Sequence, residues 1–279
     1  MILWMNLMSR KFRSVAAAGA LLVSLTGCAS SPNGGPSTNL NAPNRLTVTM
    51  TLAQAVNSRY FYSFGFDDDD DASDGPIAII STTDSANGVI SGSTNPASAN
   101  GSQGLTVLVR YQAGQFSVVR RTAQSNGNET LEEFPAAFIR QGNSPSASGN
   151  QITFTLDLDA VNGNGNFLFR HNSTTKGDLA FRYLDTNFVT TSEIRRGQND
   201  NRIKPYDAFG LNTNGTTGNT YQRFDISSSR IGGSAYTQND LFPQPEAAGD
   251  VFNSDGSLPD TTARGQLDIS GFSIEVRRG

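Results

Sequence analysis

"QITFTLDLDAV", Gln151 to Val161, decides the fold. Ile152, Phe154, Leu156 and Leu158 occupy alternate positions, with Thr153, Thr155, Asp157 and Asp159 between them. Successive side chains of a strand point to opposite faces. A period of two therefore predicts a half-buried β-strand, with the apolar set inward and the Thr and Asp set toward water.

The same alternation recurs along the chain. "RLTVTMTL" (Arg45 to Leu52) aligns Leu46, Val48, Met50 and Leu52 opposite three threonines, and "YFYSFGF" aligns Tyr60, Tyr62, Phe64 and Phe66. "LTVLVRY" (Leu105 to Tyr111) is followed after a short turn by "GQFSVVRR", its expected hairpin partner. "NFLFRH", "DLAFRYL", "YQRFDIS" and "LDISGFSIEVRR" continue the series, separated by turn clusters such as "NGNGN", "NTNGTTGN" and "SDGSLPD". Helical candidates are few: Thr130 to Gln141, interrupted by Pro135, and the short run around "TTSEIRR". The expectation is all-β, an antiparallel β-sandwich of jelly-roll or immunoglobulin-like type with little helix. A closed barrel is the alternative. A membrane-spanning barrel fits poorly, because the strands are few and irregular and lack paired aromatic girdles.

The only cysteine, Cys28, lies in "LLVSLTGCAS". Arg10, Lys11 and Arg13 precede an apolar run from Val15 to Leu25 that is closed by Thr26 and Gly27, the layout of a secretory signal. The run is shorter than the roughly 20 apolar residues a spanning helix needs. Leu25-Thr26-Gly27-Cys28 resembles the lipobox of bacterial lipoproteins. That resemblance implies cleavage before Cys28, a diacylglycerol thioether on its sulfur and an N-acyl lipid on the new amine. It also implies a lipid-anchored place in the bacterial cell envelope. Ala29 and Ser30 follow the cysteine where an Asp would argue for inner-membrane retention, so the outer membrane is expected. The apolar "MILWMNL" ahead of the basic residues is unusual, and Met8 is read as the translation start. The expected organisation is a signal peptide at 1–27, a flexible Ser/Pro/Gly/Asn tether at 28–44, and one sandwich domain at 45–279.

Cleavage would remove three of the 21 Lys and Arg residues, leaving 18 against 25 acids. An acidic exterior with no basic stripe excludes nucleic acid as an expected partner. With one cysteine there is no disulfide, so stability must come from an apolar core.

The candidate chemistry centres on "FGFDDDDDASDGP", with Asp67 to Asp71 and then Asp74. Adjacent carboxylates repel one another unless they are solvated or bound to a cation. Calcium takes six to eight hard oxygens in flexible geometry. Asp67, Asp69, Asp71 and Asp74 are the candidate ligands, although an EF-hand template with Gly75 as its glycine puts Ala72 at a ligand position. A calcium loop and a solvated acidic turn both remain open. Asn253, Asp255 and Asp260 form a second oxygen cluster that turn chemistry explains equally well.

His171 is the only histidine, so a multi-histidine zinc site is excluded. It is read as a surface or strand-end residue, since no nucleophile-elbow pattern accompanies it. Asp157 and Asp159 are read as solvated rather than as a glycosidase pair. Tyr60 and Tyr62 are expected in the core, which leaves Tyr111, Tyr183, Tyr206, Tyr221 and Tyr236 as possible stacking platforms.

The order of aromatic strand, Asp-rich loop closed by Gly75-Pro76, "IAII", "LTVLVRYQAGQFSVVRR" and "NQITFTLDLDAV" is similar to a group of bacterial lipoproteins. It distantly resembles the DOMON-like and family-nine carbohydrate-binding sandwiches over Arg45 to Leu184. The resemblance implies a sandwich that binds a glycan or another small ligand. The expected function is a non-enzymatic, lipid-anchored binding module for a glycan or another envelope component. The alternatives are a structural subunit meeting a partner protein through a sheet edge and, less favoured, a polysaccharide hydrolase.

Overall fold

The computed structural model describes residues 44–79, 89–91, 104–123, 129–140, 144–192, 205–208, 221–226, 235–237, 251–253 and 259–277. The leader, Cys28, the tether as far as residue 43 and Asp255 lie outside these residues.

The strands run in chain order as β1 (Arg45–Leu52), β2 (Phe61–Asp67), β3 (Ile77–Ile79), β4 (Val89–Ser91), β5 (Val107–Gln112), β6 (Gln115–Ala123) and β7 (Glu129–Glu133). They continue as β8 (Ser146–Ser148), β9 (Gln151–Asp157), β10 (Tyr183–Thr191), β11 (Pro205–Ala208) and β12 (Gln222–Asp225). The last are β13 (Ala235–Thr237), β14 (Phe252–Asn253) and β15 (Ile269–Arg277), with a helix, α1 (Thr261–Leu267), before β15. One sheet has the order β13-β15-β1-β9-β8, and the larger has β14-β11-β10-β2-β5-β6-β7, with β12 also pairing with β10. A separate hairpin joins β3 and β4. The ladders of these sheets are antiparallel. This is the all-β sandwich that the alternation predicts.

The two sheets meet through the residues that alternation turns inward. Leu46, Val48, Met50 and Leu52 of β1 and Ile152, Phe154 and Leu156 of β9 face Tyr62, Phe64 and Phe66 of β2 and Val107 and Val109 of β5 in one buried cluster. The Phe64 ring lies 4.8 Å from Phe154 of the facing sheet at 79°, and 4.9 Å from Phe188, its cross-strand neighbour in the same sheet, at 66°. These are edge-to-face arrangements, which complement the ring quadrupoles. The β5–β6 turn uses Ala113 at φ 52° and Gly114 at φ 80°, matching the two positive dihedrals of a type I′ hairpin.

Several expectations need correction. Thr130 to Gln141 is not a helix: its first residues belong to β7, paired with β6, and Pro135–Ala137 form only a 3-10 turn. Pro135 opens that turn, and without an N–H it cannot lie inside a helix running from Thr130. "NFLFRH" is no strand either, since Phe167 and His171 make only isolated bridges to Val161 and Leu179. Helix α1 was not anticipated. Asp260, in an oxygen cluster that turn chemistry explains as well as ligation does, is its N-cap and accepts from Thr262 N–H at 3.0 Å and Ala263 N–H at 2.9 Å. Asp157 and Asp159, expected in water, are buried.

Strands β2 and β10 are buried on both faces. Tyr62, Phe64 and Phe66 enter the core, so Ser63, Gly65 and Asp67 lie on the opposite side of the sheet. The β3–β4 hairpin packs against β2 and β10, and a small second cluster of Leu105, Val189, Tyr206 and Ala208 lies near it. The last residue of β2, Asp67, therefore finishes inside the protein.

Candidate functional site

The acidic run leaves β2 and divides its side chains between two directions. Asp68, which is fully buried, turns toward arginines: its Oδ2 accepts from Arg120 Nη1 at 3.0 Å and from the Arg170 backbone N–H. Asp70 holds a left-handed conformation at φ 67°, and its Oδ1 accepts from Arg182 N–H at 2.9 Å and Tyr183 N–H at 2.8 Å. Asp71 is exposed and binds its own loop, with Oδ1 accepting from Ser73 N–H at 2.8 Å and Ser73 Oγ at 2.7 Å. Those bonds hold the Asp71 carboxyl below its ordinary value.

Asp67, Asp69 and Asp74 converge, with Asp69 Oδ1 also accepting from Asp71 N–H at 2.7 Å. Each brings a carboxylate oxygen within 4.8 Å of the others. Of the four sequence candidates the structure unites these three and sets Asp71 apart. Asp67 is 1% exposed, and neither of its oxygens has a hydrogen-bond partner. Asp74 Oδ1 is likewise buried without a partner. Asp185 on β10 stands directly opposite Asp67 in the ladder, with its Oδ1 also unpartnered. The sequence reading missed Asp185. Its one signal was a carboxylate within the otherwise strand-like "YLDTNFVTT".

Electrostatics follow from this crowding. Desolvation first, and then the charges of Asp69, Asp68, Asp74 and Asp185, push the Asp67 carboxyl up to about 8. Burial with Asp69 and Asp71 nearby brings Asp74 to about 6. Asp185 rises to about 7 by burial, although Arg223 pulls against the rise. The loop is closed by a close approach at Gly75. A Cβ there would meet the Tyr221 ring at 2.5 Å, while the backbone of Gly104, at φ +75°, presses from beside it. Tyr221 also donates its hydroxyl to Ala72 O at 2.8 Å.

A cleft of about 510 Å³ lies nearby, lined by Arg120, Glu132, Asn166, Phe167, His171 and Ser173 among others. Its walls are fixed. Arg120 is held by Asp68 and by the Leu168 carbonyl, and Glu132 accepts from Asn166 Nδ2 at 2.8 Å and Asn162 Nδ2 at 3.1 Å. Phe167 is half-buried and stacks on His171 with centroids 3.8 Å apart at 16°.

The His171 side chain is only 2% exposed, which corrects the surface reading. Its Nδ1 faces the Phe169 carbonyl at 2.8 Å and its Nε2 faces Asp159 Oδ1 at 2.8 Å. Neither nitrogen is left to take a proton from a nucleophile. Asp159 also accepts from Gly177 N–H at 2.7 Å and from Asn44 Nδ2 at 2.8 Å. Burial alone would raise the Asp159 carboxyl, but bonds from His171, Gly177 and Asn44 outweigh it and hold the group low. Burial raises its neighbour Asp157. Asn44, the last residue of the expected tether, is thus buried and bonded within the sandwich.

Most tyrosines left as platforms are engaged elsewhere. Tyr111 and Tyr206 are buried, and Tyr62 is core as expected. Tyr183 lies beneath the guanidiniums of Arg182 at 5.0 Å and Arg223 at 4.4 Å, and Tyr221 packs on Gly75. The Tyr236 side chain lies outside the described residues. The cleft's aromatic residue is instead Phe167. No family model matches the chain, and neither a curated protein nor a solved structure is significantly similar to it.

Proposed function

We propose that this chain is a lipid-anchored protein of the bacterial cell envelope, and that its sandwich is a non-enzymatic binding module for a glycan or another envelope component. The observation that carries the binding role is the cleft beside Phe167. A half-buried aromatic residue, stacked on His171, suits the C–H groups of a sugar ring, and the surrounding Arg, Glu, Asn, Thr and Ser groups suit its hydroxyls. Its volume falls within the roughly 300–1,000 Å³ of small-ligand sites. The Arg120 and Glu132 partners within the protein leave those groups rigid, which lowers the entropic cost of binding.

The lipobox supports the anchor. Diacylglycerol on Cys28 and an N-acyl chain would give durable attachment, since a single acyl chain binds only marginally. Among the described residues, no helix is long and apolar enough to cross a membrane. Ala29 and Ser30 support the outer membrane over the inner. The engagement of both His171 nitrogens favours a binding role over hydrolysis. Calcium belongs to the same reading, as the ion of the acidic loop.

The test is retention of the full chain, in detergent, on immobilised envelope polysaccharides and a neutral oligosaccharide array. Wild-type protein should be retained, and Phe167→Ala should lose most of the signal. Retention of neither, or equal retention of both, refutes the glycan reading. Mass spectrometry of native protein should find a diacylated and N-acylated Cys28 at the new amino terminus, and an intact 27–28 peptide bond refutes the anchor. One observation favours the structural alternative: the edge strand β7 exposes Leu131, at 61%. Crosslinking in native membranes would then give one stoichiometric neighbour.

A further inference from the structure

We propose that Asp67, Asp69 and Asp74 bind one calcium ion, with Asp185 as the carboxylate that completes the negative wall behind it. The inference deepens the ion part of the reading above and does not depend on what the cleft holds.

Three arguments converge. First, the Asp67 carboxylate is 1% exposed, and both its oxygens lack partners. Buried charges are ordinarily paired or coordinated to a metal, because desolvation otherwise costs several kcal/mol. A second vacant acceptor comes from a different strand, at Asp185 Oδ1, and a third from Asp74 Oδ1. Asp67 and Asp74 fall with Asp69 in one group of carboxylates whose oxygens lie within 4.8 Å of one another, and Asp185 stands opposite Asp67 across the ladder.

Second, the neighbouring arginines among the described residues bond groups other than Asp67. Arg120 binds Asp68, and Arg170 binds the Asp69 carbonyl at 2.9 Å and approaches Asp70 Oδ2 at 3.6 Å. Arg182 pairs with Asp225 at 2.8 Å. Arg223 reaches the Asp70 carbonyl at 2.7 Å and Asp185 Oδ2 at 3.3 Å. Four arginines brace the outside of the loop, yet none reaches Asp67. The loop is built to hold negative charge inward.

Third, the donors select the ion. They are carboxylates alone, with no imidazole or thiolate, which suits a hard cation. The oxygens lie within 4.8 Å of one another, the widest separation two ligands can have about an ion at roughly 2.4 Å from each. Calcium accepts an irregular set completed by water or by bidentate carboxylates. Magnesium demands a near-ideal octahedron and gives up its waters reluctantly. The order Asp-x-Asp followed five residues later by Asp74 is not an EF-hand, because its first ligand ends a strand.

The test uses the full chain in detergent after chelator treatment, titrated with CaCl2 by calorimetry and by thermal melting. Saturable binding of about one ion per chain should raise the melting temperature. Asp67→Asn and Asp69→Asn should each weaken affinity by at least about tenfold, and Asp71→Asn, which removes a nearby charge but no ligand, should weaken it far less. No heat and no melting shift at millimolar calcium overturns the proposal, and so does wild-type affinity in Asp67→Asn. Magnesium binding as tightly as calcium overturns the choice of ion. Oligosaccharide retention by Asp67→Asn, measured in parallel, reports on the cleft, so failure of one reading is distinguishable from failure of the other.

Discussion

Replacing Asp159 with Ala tests whether the histidine pair is structural. The carboxylate sits 2% exposed in its side chain and accepts three hydrogen bonds, from Asn44 Nδ2, His171 Nε2 and Gly177 N–H. In Asp159→Ala the Gly177 amide, in an exposed loop, regains water. The Asn44 amide and the His171 ring do not, because both are buried. Each stranded donor costs about 1–3 kcal/mol. With two donors stranded the expected loss is about 2–6 kcal/mol, with Asp159→Asn costing less because one acceptor oxygen survives. Urea denaturation followed by far-UV circular dichroism measures it; the only tryptophan, Trp4, lies in the leader and offers no probe of the sandwich. The pH dependence supplies a second check. Asp159 is held below its ordinary value. Its contribution is therefore complete above about pH 4 and is lost as pH falls through the folded value. The gap between wild type and variant should be wide at pH 7 and close in acid. A loss under about 1 kcal/mol, or a gap independent of pH, refutes the reasoning.

In chelator the acidic centre should show the opposite sign. Asp67 is raised to about 8, so the stability it contributes is full below about pH 4 and is lost as pH climbs through 8. Asp67→Asn should flatten that decline, and urea midpoints between pH 5 and 9 check it. Gly75→Ala should cost about 1–3 kcal/mol, because the new methyl displaces the Tyr221 ring and its bond to Ala72; the melting temperature with saturating calcium measures it. Phe154→Ala should cost about 3–5 kcal/mol by removing the ring that meets Phe64, Phe116 and Phe138, without changing calcium affinity. Equal urea midpoints for this variant and wild type would contradict the assigned core.

The sandwich was legible because alternation in β1, β2, β5 and β9 is a local signal that the tertiary fold obeys. Leu46, Val48, Met50, Ile152, Phe154 and Leu156 all turn inward as the period requires. The period failed where burial is two-sided. It places Asp157 and Asp159 in water, but loop residues around His171 and Gly177 cover that face, and no local pattern reports what a distant loop will cover. The acidic loop was visible as a run of Asp, yet its sorting into Asp67, Asp69 and Asp74 against Asp68 and Asp70 depends on which arginines the fold brings to it. Asp185 was hidden for the same reason: its pairing with Asp67 is a register across 118 positions of chain. Helix α1 was missed although Asp260 before "TTARGQL" carries a cap signal, because the surrounding turn residues read equally well as a loop.

The placement of β1 has a mechanical consequence. Its residues Arg45 to Leu52 pair with β15 on one side, and Arg45 to Thr51 pair with β9 on the other. Tension transmitted from the amino-terminal side thus enters an interior rail rather than a margin. Drawing that rail out lengthwise means shearing two ladders and uncorking four apolar side chains together, whereas a marginal strand would peel away rung by rung.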